Sequence, residues 1–369
     1  MKTIYLSALF FVSLICNSQN LFVTKTITEN SMSTKYLSEI NRTNGDIITN
    51  NFFSQNSNPS LIPTGLKYEN QTNSIFSFSQ NIVYEHDGIN FIPLNSFEGV
   101  TNVPIVFREI IHLNNRIFAT KLLNTGGMNY ELTLFELSKT NNSILNSHTW
   151  EVTIATNGYG STKSDSTNEI FIVLGNKLLK YNISTQEQNT FTLDGQNLGV
   201  SYKGILFADN RLFVRKNEYQ NSQALNYIIE LNKNDGSIIA TNELTSDFAN
   251  FYPSNDLVYL NSTKEIACLF ITQYDNKILK YNITNQNESL ITLPTEINTA
   301  TSSEYYIELV SKDYEPSLNN NQIEAITEVS KIKNVYNLLG QKISLETYNQ
   351  VIIIEFENGK KIKKVQYSN

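Results

Sequence analysis

His86, His112 and His148 are the only histidines among 369 residues. A zinc site or an imidazole base would need them at ligand spacing or supported by neighbouring acids. No such spacing links them, and each falls in a different repeat unit of the chain. His86 in "EHDG" reads as a turn residue and His112 in "EIIHLNN" as a strand residue. The 35 Asp and Glu are scattered, and a hydrolase would have to gather several of them from distant segments. There is no Gly-rich phosphate loop, no G-x-S-x-G elbow and no D-x-[DN]-x-[DN]-G calcium loop. The residue types thus point to no catalytic group, no metal and no cofactor.

The elements that would position any site are more legible. "NKLLKYNISTQ" at 176–186 returns as "NKILKYNITNQ" at 276–286. Related strand–turn–strand stretches are anchored at Ile40, Tyr84, Leu137, Tyr181, Leu231 and Tyr281, at intervals of 44, 53, 44, 50 and 50 residues. A second recurring strand lies upstream of each anchor, as in "NLFVTKT" (20–26), "NRIFATKL" (115–122) and "NRLFVRKN" (210–217). A further strand precedes several of these, clearest in "GILFAD" (204–209) and "DLVYLN" (256–261). Alternating strands broken by Asn, Gly and Asp turns at this period predict an all-β propeller of four-stranded blades. Six units fill 20–310, with seven blades as the alternative count. The first unit lacks its innermost strand, and "EYYIELV" (304–310) is left over to supply it and close the ring without a raw edge.

Composition and termini set the context. A net charge of −7 with only 17% charged residues leaves no basic field for nucleic acid. "MKTIYLSALFFVSLICNSQN" has the layout of a cleavable signal peptide over residues 1–19, so the mature chain carries no transmembrane segment. The alternative is a lipoprotein signal with Cys16 as the lipidated residue, against which stand Ile15 and the placement of Leu14. Cleavage near Gln19 leaves Cys268 without an intramolecular partner, and in "EIACLF" it reads as a small buried hydrophobe. Trp150, the only Trp, reads as a packing residue.

The segment 331–369 resembles the type A sorting domain of type IX secretion cargo. The resemblance rests on "VYNLLGQK", with Tyr336, Asn337, Leu338, Leu339, Gly340, Gln341 and Lys342, and on "VIIIEFENGK", with Asn358, Gly359 and Lys360, before the basic "KKIKKV". The usual opening strand with a Tyr-Pro-Asn-Pro element is missing, and a polar linker (311–330) stands there instead. The resemblance implies a small β-sandwich-like domain, passage through the periplasm, and recognition by the type IX machinery. It further implies release, or anchoring at the outer surface of a Gram-negative cell. "DST" (165–167) fits an O-glycosylation pattern of such bacteria. The hairpin "IIELNKNDGSIIAT" resembles the outer hairpin of quinoprotein-like and YVTN-type propellers, without the Trp that quinoprotein blades place after the turn.

Two function classes remain: a surface module binding a glycan, peptide or polymer, and a secreted lyase- or glycosidase-type propeller with a central site. The absent chemistry and the abundance of Asn, Tyr and Ser favour binding. The connections between second and third strands are long in the first, third and fifth units (27–35, 123–130 and 218–226) and short in the second and fourth. Read as loops on a rigid scaffold, they place an extracellular ligand against Asn30, Met128, Asn129, Tyr219 and Asn221.

Overall fold

The computed structural model describes residues 20–29, 32–56, 64–69, 74–79, 82–86, 91–96, 108–139, 143–154, 158–193, 200–220, 223–244, 252–271, 276–294, 309–312, 332–337, 341–342, 350–356 and 361–366. Two compact units divide between Tyr314 and Glu315. In the first, the described residues form six antiparallel sheets of four strands each. From the inside outward, blade 1 is Leu309–Lys312, Asn20–Glu29, Met32–Ile40 and Ile47–Asn56, and blade 2 is Thr64–Glu69, Ser74–Ser79, Ile82–His86 and Phe91–Ser96. Blade 3 is Glu109–Leu113, Arg116–Gly126, Asn129–Leu137 and Ile144–Thr153, and blade 4 is Tyr159–Ser164, Glu169–Leu174, Lys177–Asn182 and Gln188–Thr192. Blade 5 is Val200–Ala208, Arg211–Gln220, Gln223–Leu231 and Ile238–Glu243, and blade 6 is Tyr252–Leu260, Glu265–Ile271, Asn276–Asn282 and Glu288–Thr292.

Each innermost strand touches the innermost strand of the next blade, and that of blade 6 touches Leu309–Lys312, so the ring closes after six blades rather than seven. Closure is a strand pairing between the two ends of the unit: Leu21 lies opposite Ser311, Phe22 opposite Val310 and Val23 opposite Leu309. The closing strand thus runs to Lys312, two residues past the expected end at 310. Residues 304–308 lie outside the described residues.

Burial explains the strand patterns. A middle strand such as Glu169–Leu174 is buried at every position because neighbouring blades cover both of its faces. The outermost strand Ile144–Thr153 alternates exposed residues with half-buried or buried ones. Apolar side chains from each pair of neighbouring blades form a separate cluster, for example Phe22, Leu37, Leu66 and Ile75 between blades 1 and 2. Glycine allows close approach of neighbouring backbones: a Cβ on Gly160 in the innermost strand of blade 4 would lie 2.8 Å from Gly204 Cα of blade 5.

The Asn-rich turns that produce the sequence repeat are one hydrogen-bonded device. In blades 1, 4, 5 and 6 the first turn residue (Asn41, Asn182, Asn232, Asn282) accepts at its carbonyl from the residue four places on and donates its N–H five places on. Its side-chain oxygen also accepts a backbone N–H two residues ahead, at 2.8 to 3.0 Å. The residue four places on has positive φ, which Gly45 and Gly236 adopt without strain and Gln186 and Gln286 also adopt.

A longer period overlies the blades. Phe22, Phe118 and Phe213 occupy one position in blades 1, 3 and 5, at spacings of 96 (22 to 118) and 95 (118 to 213) residues. In blades 3 and 5 an Arg at the start of the second strand holds a third-strand Glu in a bidentate grip, Arg116 on Glu136 and Arg211 on Glu230. The same guanidinium donates to a turn carbonyl of the following blade, Ile183 O at 3.4 Å and Ile283 O at 3.3 Å. Blades 3 and 5 thus tie themselves to the following blade in the same way.

The described residues of the second unit form one antiparallel sheet of Ile332–Asn337, Gln350–Phe356 and Lys361–Gln366. Tyr336 and Asn337 end its first strand, and Tyr336 bridges to Lys342. Gln341 and Lys342 are exposed. Leu338, Leu339 and Gly340, and likewise Asn358, Gly359 and Lys360, lie outside the described residues.

Candidate functional site

Within a blade, successive strands run in opposite directions, so the second-to-third turns and the links between blades share one face. On that face the three segments read as long loops are strands. In blade 1 the second strand pairs with the third up to Glu29 and Met32, in blade 3 up to Gly126 and Asn129, and in blade 5 up to Gln220 and Gln223. Each connection has only two residues between its strands, as in the short hairpins of blade 2 (Ser79 to Ile82) and blade 4 (Leu174 to Lys177). The alternation in length is therefore real, but it makes hairpin arms, not loops.

Of the residues placed at this face, Asn30 and Asn221 lie outside the described residues. Met128 sits in the tip turn of the blade 3 arm, 40% exposed, with Leu123 behind it at 46%. Asn129 accepts from Thr153 Oγ1 at 2.7 Å. It helps line a shallow cleft of about 470 Å³ on the flank of that arm, with Thr125, Glu131 and Glu151. Tyr219 is 64% exposed near the tip of the blade 5 arm.

Below the arms, the innermost strands begin. Glu109 opens that of blade 3, is buried, and receives Lys67 Nζ of blade 2 on Oε1 at 2.5 Å. Its other oxygen has no hydrogen-bond partner among the described residues. Beside it, Tyr159 of blade 4 shares a 2.6 Å hydrogen bond with Thr120 Oγ1, and Arg108 lays its guanidinium over the Tyr159 ring. Burial, reinforced by the negative Glu109, lifts the Tyr159 phenol well above its usual range.

The equivalent place in blade 5 differs in chemistry. Lys203 of the innermost strand lies opposite Arg215, whose guanidinium is fully buried over the Phe270 ring of blade 6. Burial, then the Arg215 charge, lowers the Lys203 amine below the usual lysine range. Asn217 and Asn226 face each other, both buried, with Asn217 Nδ2 donating to Asn226 Oδ1. At the arm base Glu218 accepts from Lys216 and Gln220, both at 2.7 Å, which holds its carboxyl below the usual range. None of Lys203, Arg215, Asn217 or Asn226 was singled out in the sequence. The signal was there: Arg215 stands at the strand position held by Thr24 and Thr120 in "NLFVTKT" and "NRIFATKL".

The histidines are apart, as expected, but not in separate blades. His112 and His148 share blade 3, in its innermost and outermost strands, and face opposite neighbours. His112 stacks on Phe76 of blade 2 at 3.8 Å, while His148 Nε2 lies 2.5 Å from Tyr181 Oη of blade 4. His86 ends a strand of blade 2 instead of lying on a turn. Trp150 packs edge-on against Tyr181 at 6.4 Å, and Cys268 is buried, both as read from sequence. "DST" forms a turn in which Ser166 is exposed and Thr167 Oγ1 lies 2.7 Å from Ser164 Oγ. Among the described residues no group of three or more His, Cys, Asp or Glu converges as a metal site requires.

No protein-family model matches the chain, and no curated protein matches it. Among solved structures it is similar to dipeptidyl peptidase 4 of Porphyromonas gingivalis, at 11% identity and a TM-score of 0.37 over 83% of this chain. The chain spans only 46% of that protein's length. It is also similar to a putative 6-phosphogluconolactonase of Bacteroides fragilis, at 10% identity and a TM-score of 0.46, covering 76% of this chain and 96% of that one. A putative TolB of Agrobacterium tumefaciens is similar at 9% identity and a TM-score of 0.44, covering 80% and 99%.

Proposed function

We propose that this six-bladed propeller is a binding or adhesion module, exported across the cell envelope and presented outside the cell, and that its ligand meets the face bearing the three arms. The observation that carries this reading is the pair of described arm ends, which hold Leu123, Met128 and Tyr219 out in solvent on a rigid ring. Exposed large side chains on ordered hairpins cost little entropy to immobilise, which suits recognition. Export by the type IX machinery belongs to the same proposal. It is supported by the resemblance of 331–369, whose described strands pair as a small antiparallel sheet. The ligand is a glycan, peptide or polymer outside the cell.

The test replaces 219–224, the end of the blade 5 arm, by a two-residue Asn-Gly turn. Thermal stability should hold, and binding to native cell surfaces or extracellular polymer should fall at least tenfold. Unchanged binding refutes the arm face as the ligand surface. In the producing cell, removing 331–369 should leave folded protein in the periplasm, and its appearance outside would refute the export route.

A further inference from the structure

The turn after the third strand of blade 1 and the matching turn of blade 5 share their backbone hydrogen bonds. Gly45 N donates to Asn41 O at 2.7 Å and Gly236 N to Asn232 O at 2.8 Å, while Asn41 N and Asn232 N donate to Asp46 O and Ser237 O, both at 2.8 Å. Before the glycine, blade 5 carries Asp235 and blade 1 carries Asn44. Asp235 Oδ1 accepts from Ser237 N at 2.9 Å and from Ser237 Oγ at 2.6 Å. Asn44 Oδ1 accepts from Asp46 N at 3.1 Å, and its Nδ2 donates to Asp46 Oδ2 at 2.5 Å. Asn44 is exposed, and Asn44–Gly45 is the only Asn-Gly step among the described residues.

An Asn-Gly step is open to one reaction in particular, because glycine has no side chain to hinder it. The glycine nitrogen attacks the Asn Cγ, an N–Cγ bond forms, the Cγ–Nδ2 bond breaks, and the glycine amide hydrogen leaves with the Nδ2 group as ammonia. Water then opens the cyclic imide at one of its two carbonyls. One opening gives aspartate. The other gives isoaspartate, whose main chain runs through Cβ and Cγ and is one atom longer. In the folded turn the nucleophile is engaged, since Gly45 N–H points at Asn41 O and Gly45 is buried. The longer main chain has no room either: a Cβ on Gly45 would lie 2.5 Å from Ile291 Cγ2 and 2.8 Å from Thr292 O, in the outermost strand of blade 6. Ile291 belongs to the core that Leu21, Val23 and Ile40 of blade 1 share with blade 6, and Arg42 Nη1 donates to Ser262 Oγ of that blade at 2.7 Å. The turn thus sits on the seam between the last blade and the first.

We propose that Asn44 is a deamidation site governed by ring closure: the docked turn shields it, and a chain that forms isoaspartate at 44 before docking cannot seat blade 1 against blade 6. The reaction takes only water and is independent of what the arms bind. Aspartate at 44 is the tolerated product, because blade 5 holds Asp235 in the same turn and the side chain at 44 faces solvent. Isoaspartate is the rejected one. Its extra main-chain atom either pushes Gly45 into Ile291 and Thr292 or breaks the Gly45–Asn41 hydrogen bond. Modification competes with folding, so it sorts chains by how long they stay open.

The experiment ages the full chain at pH 8 and 37 °C, folded or in 6 M guanidinium, and follows the tryptic peptide 43–67 by mass for conversion of one amide to one acid. Conversion at Asn44 is expected to be slower in the folded chain by about tenfold or more. Chains aged unfolded are then refolded. Isoaspartate at 44, located by electron-transfer fragmentation, should be depleted about tenfold from the fraction that elutes as native protein, whereas aspartate at 44 should remain. Asn44→Asp should melt within about 2 °C of the wild type. Asn44→Gln, whose longer side chain closes such a ring far more slowly, should refold after ageing as well as an unaged chain. Equal conversion in folded and unfolded chains overturns the shielding, and isoaspartate retained in the native fraction overturns the argument from the seam. An Asn44→Asp chain that loses its fold would show that the turn rejects the charge, and an aged Asn44→Gln chain that fails to refold would place the damage elsewhere; either result overturns the proposal.

Discussion

Acidification from pH 7 to pH 5 should destabilise the propeller by about 2 kcal/mol through His112 alone. The ring is buried between blades 2 and 3 against Phe76. Burial first, then the positive Lys139 and Lys163, push its pKa down from 6.5 to about 3. The unfolded chain binds a proton on this residue below pH 6.5, whereas the folded chain holds it neutral. Its contribution is therefore fully present above pH 6.5 and is lost as pH falls from there toward 3. The full difference of some 3.5 units would reach about 5 kcal/mol near pH 3, and at pH 5 about 1.5 of those units have been lost. Urea unfolding followed by the fluorescence of Trp150, the only tryptophan and itself buried, reads the effect directly. His112→Gln removes the titration. The variant should be less stable at both pH values, having lost the stack on Phe76, but should lose about 2 kcal/mol less than the wild type between pH 7 and pH 5. An identical pH loss in the two proteins refutes the argument, since other titrating groups are common to both.

Three further outcomes follow from the ring. Truncation after Thr301 removes the strand paired with 20–23 and should lower the melting temperature far more than truncation after Asn320, because it reopens the seam; equal values would count against closure by that pairing. Cys268, pushed up to about 12 chiefly by burial, should resist iodoacetamide at pH 8 in the folded chain and react fully in 6 M guanidinium, as read by intact mass. Gly160→Ala places a methyl 2.8 Å from Gly204 Cα, where both neighbours are backbone, and should cost about 3 kcal/mol in urea denaturation. A loss below about 1 kcal/mol would show that blades 4 and 5 can separate there.

What the sequence determined by itself is whatever depends on a few consecutive residues. Alternating apolar residues make strands. Asn turns such as those at Asn41, Asn182, Asn232 and Asn282 end them, and six such units with one strand missing leave 304–310 to close the ring, a stretch that overlaps the observed closing strand Leu309–Lys312 at 309 and 310. The packing of Trp150 and the burial of Cys268 were equally legible, because they follow from residue type in a strand pattern. Only the tertiary structure decided what depends on partners from elsewhere in the chain. The segments 27–35, 123–130 and 218–226 look like loops because their residues are polar. Their described residues are strands because each half finds the other in antiparallel register, and hydrogen-bond pairing does not require apolar side chains. His112 and His148 occupy one blade because the third repeat spans both, and their unlike surroundings come from blades 2 and 4. Arg215 was visible only as a departure from the Thr24 and Thr120 pattern. Its setting, with Lys203 opposite, Phe270 beneath and the Asn217–Asn226 pair above, arises from three strands of blade 5 and one of blade 6, and no short stretch of sequence contains it.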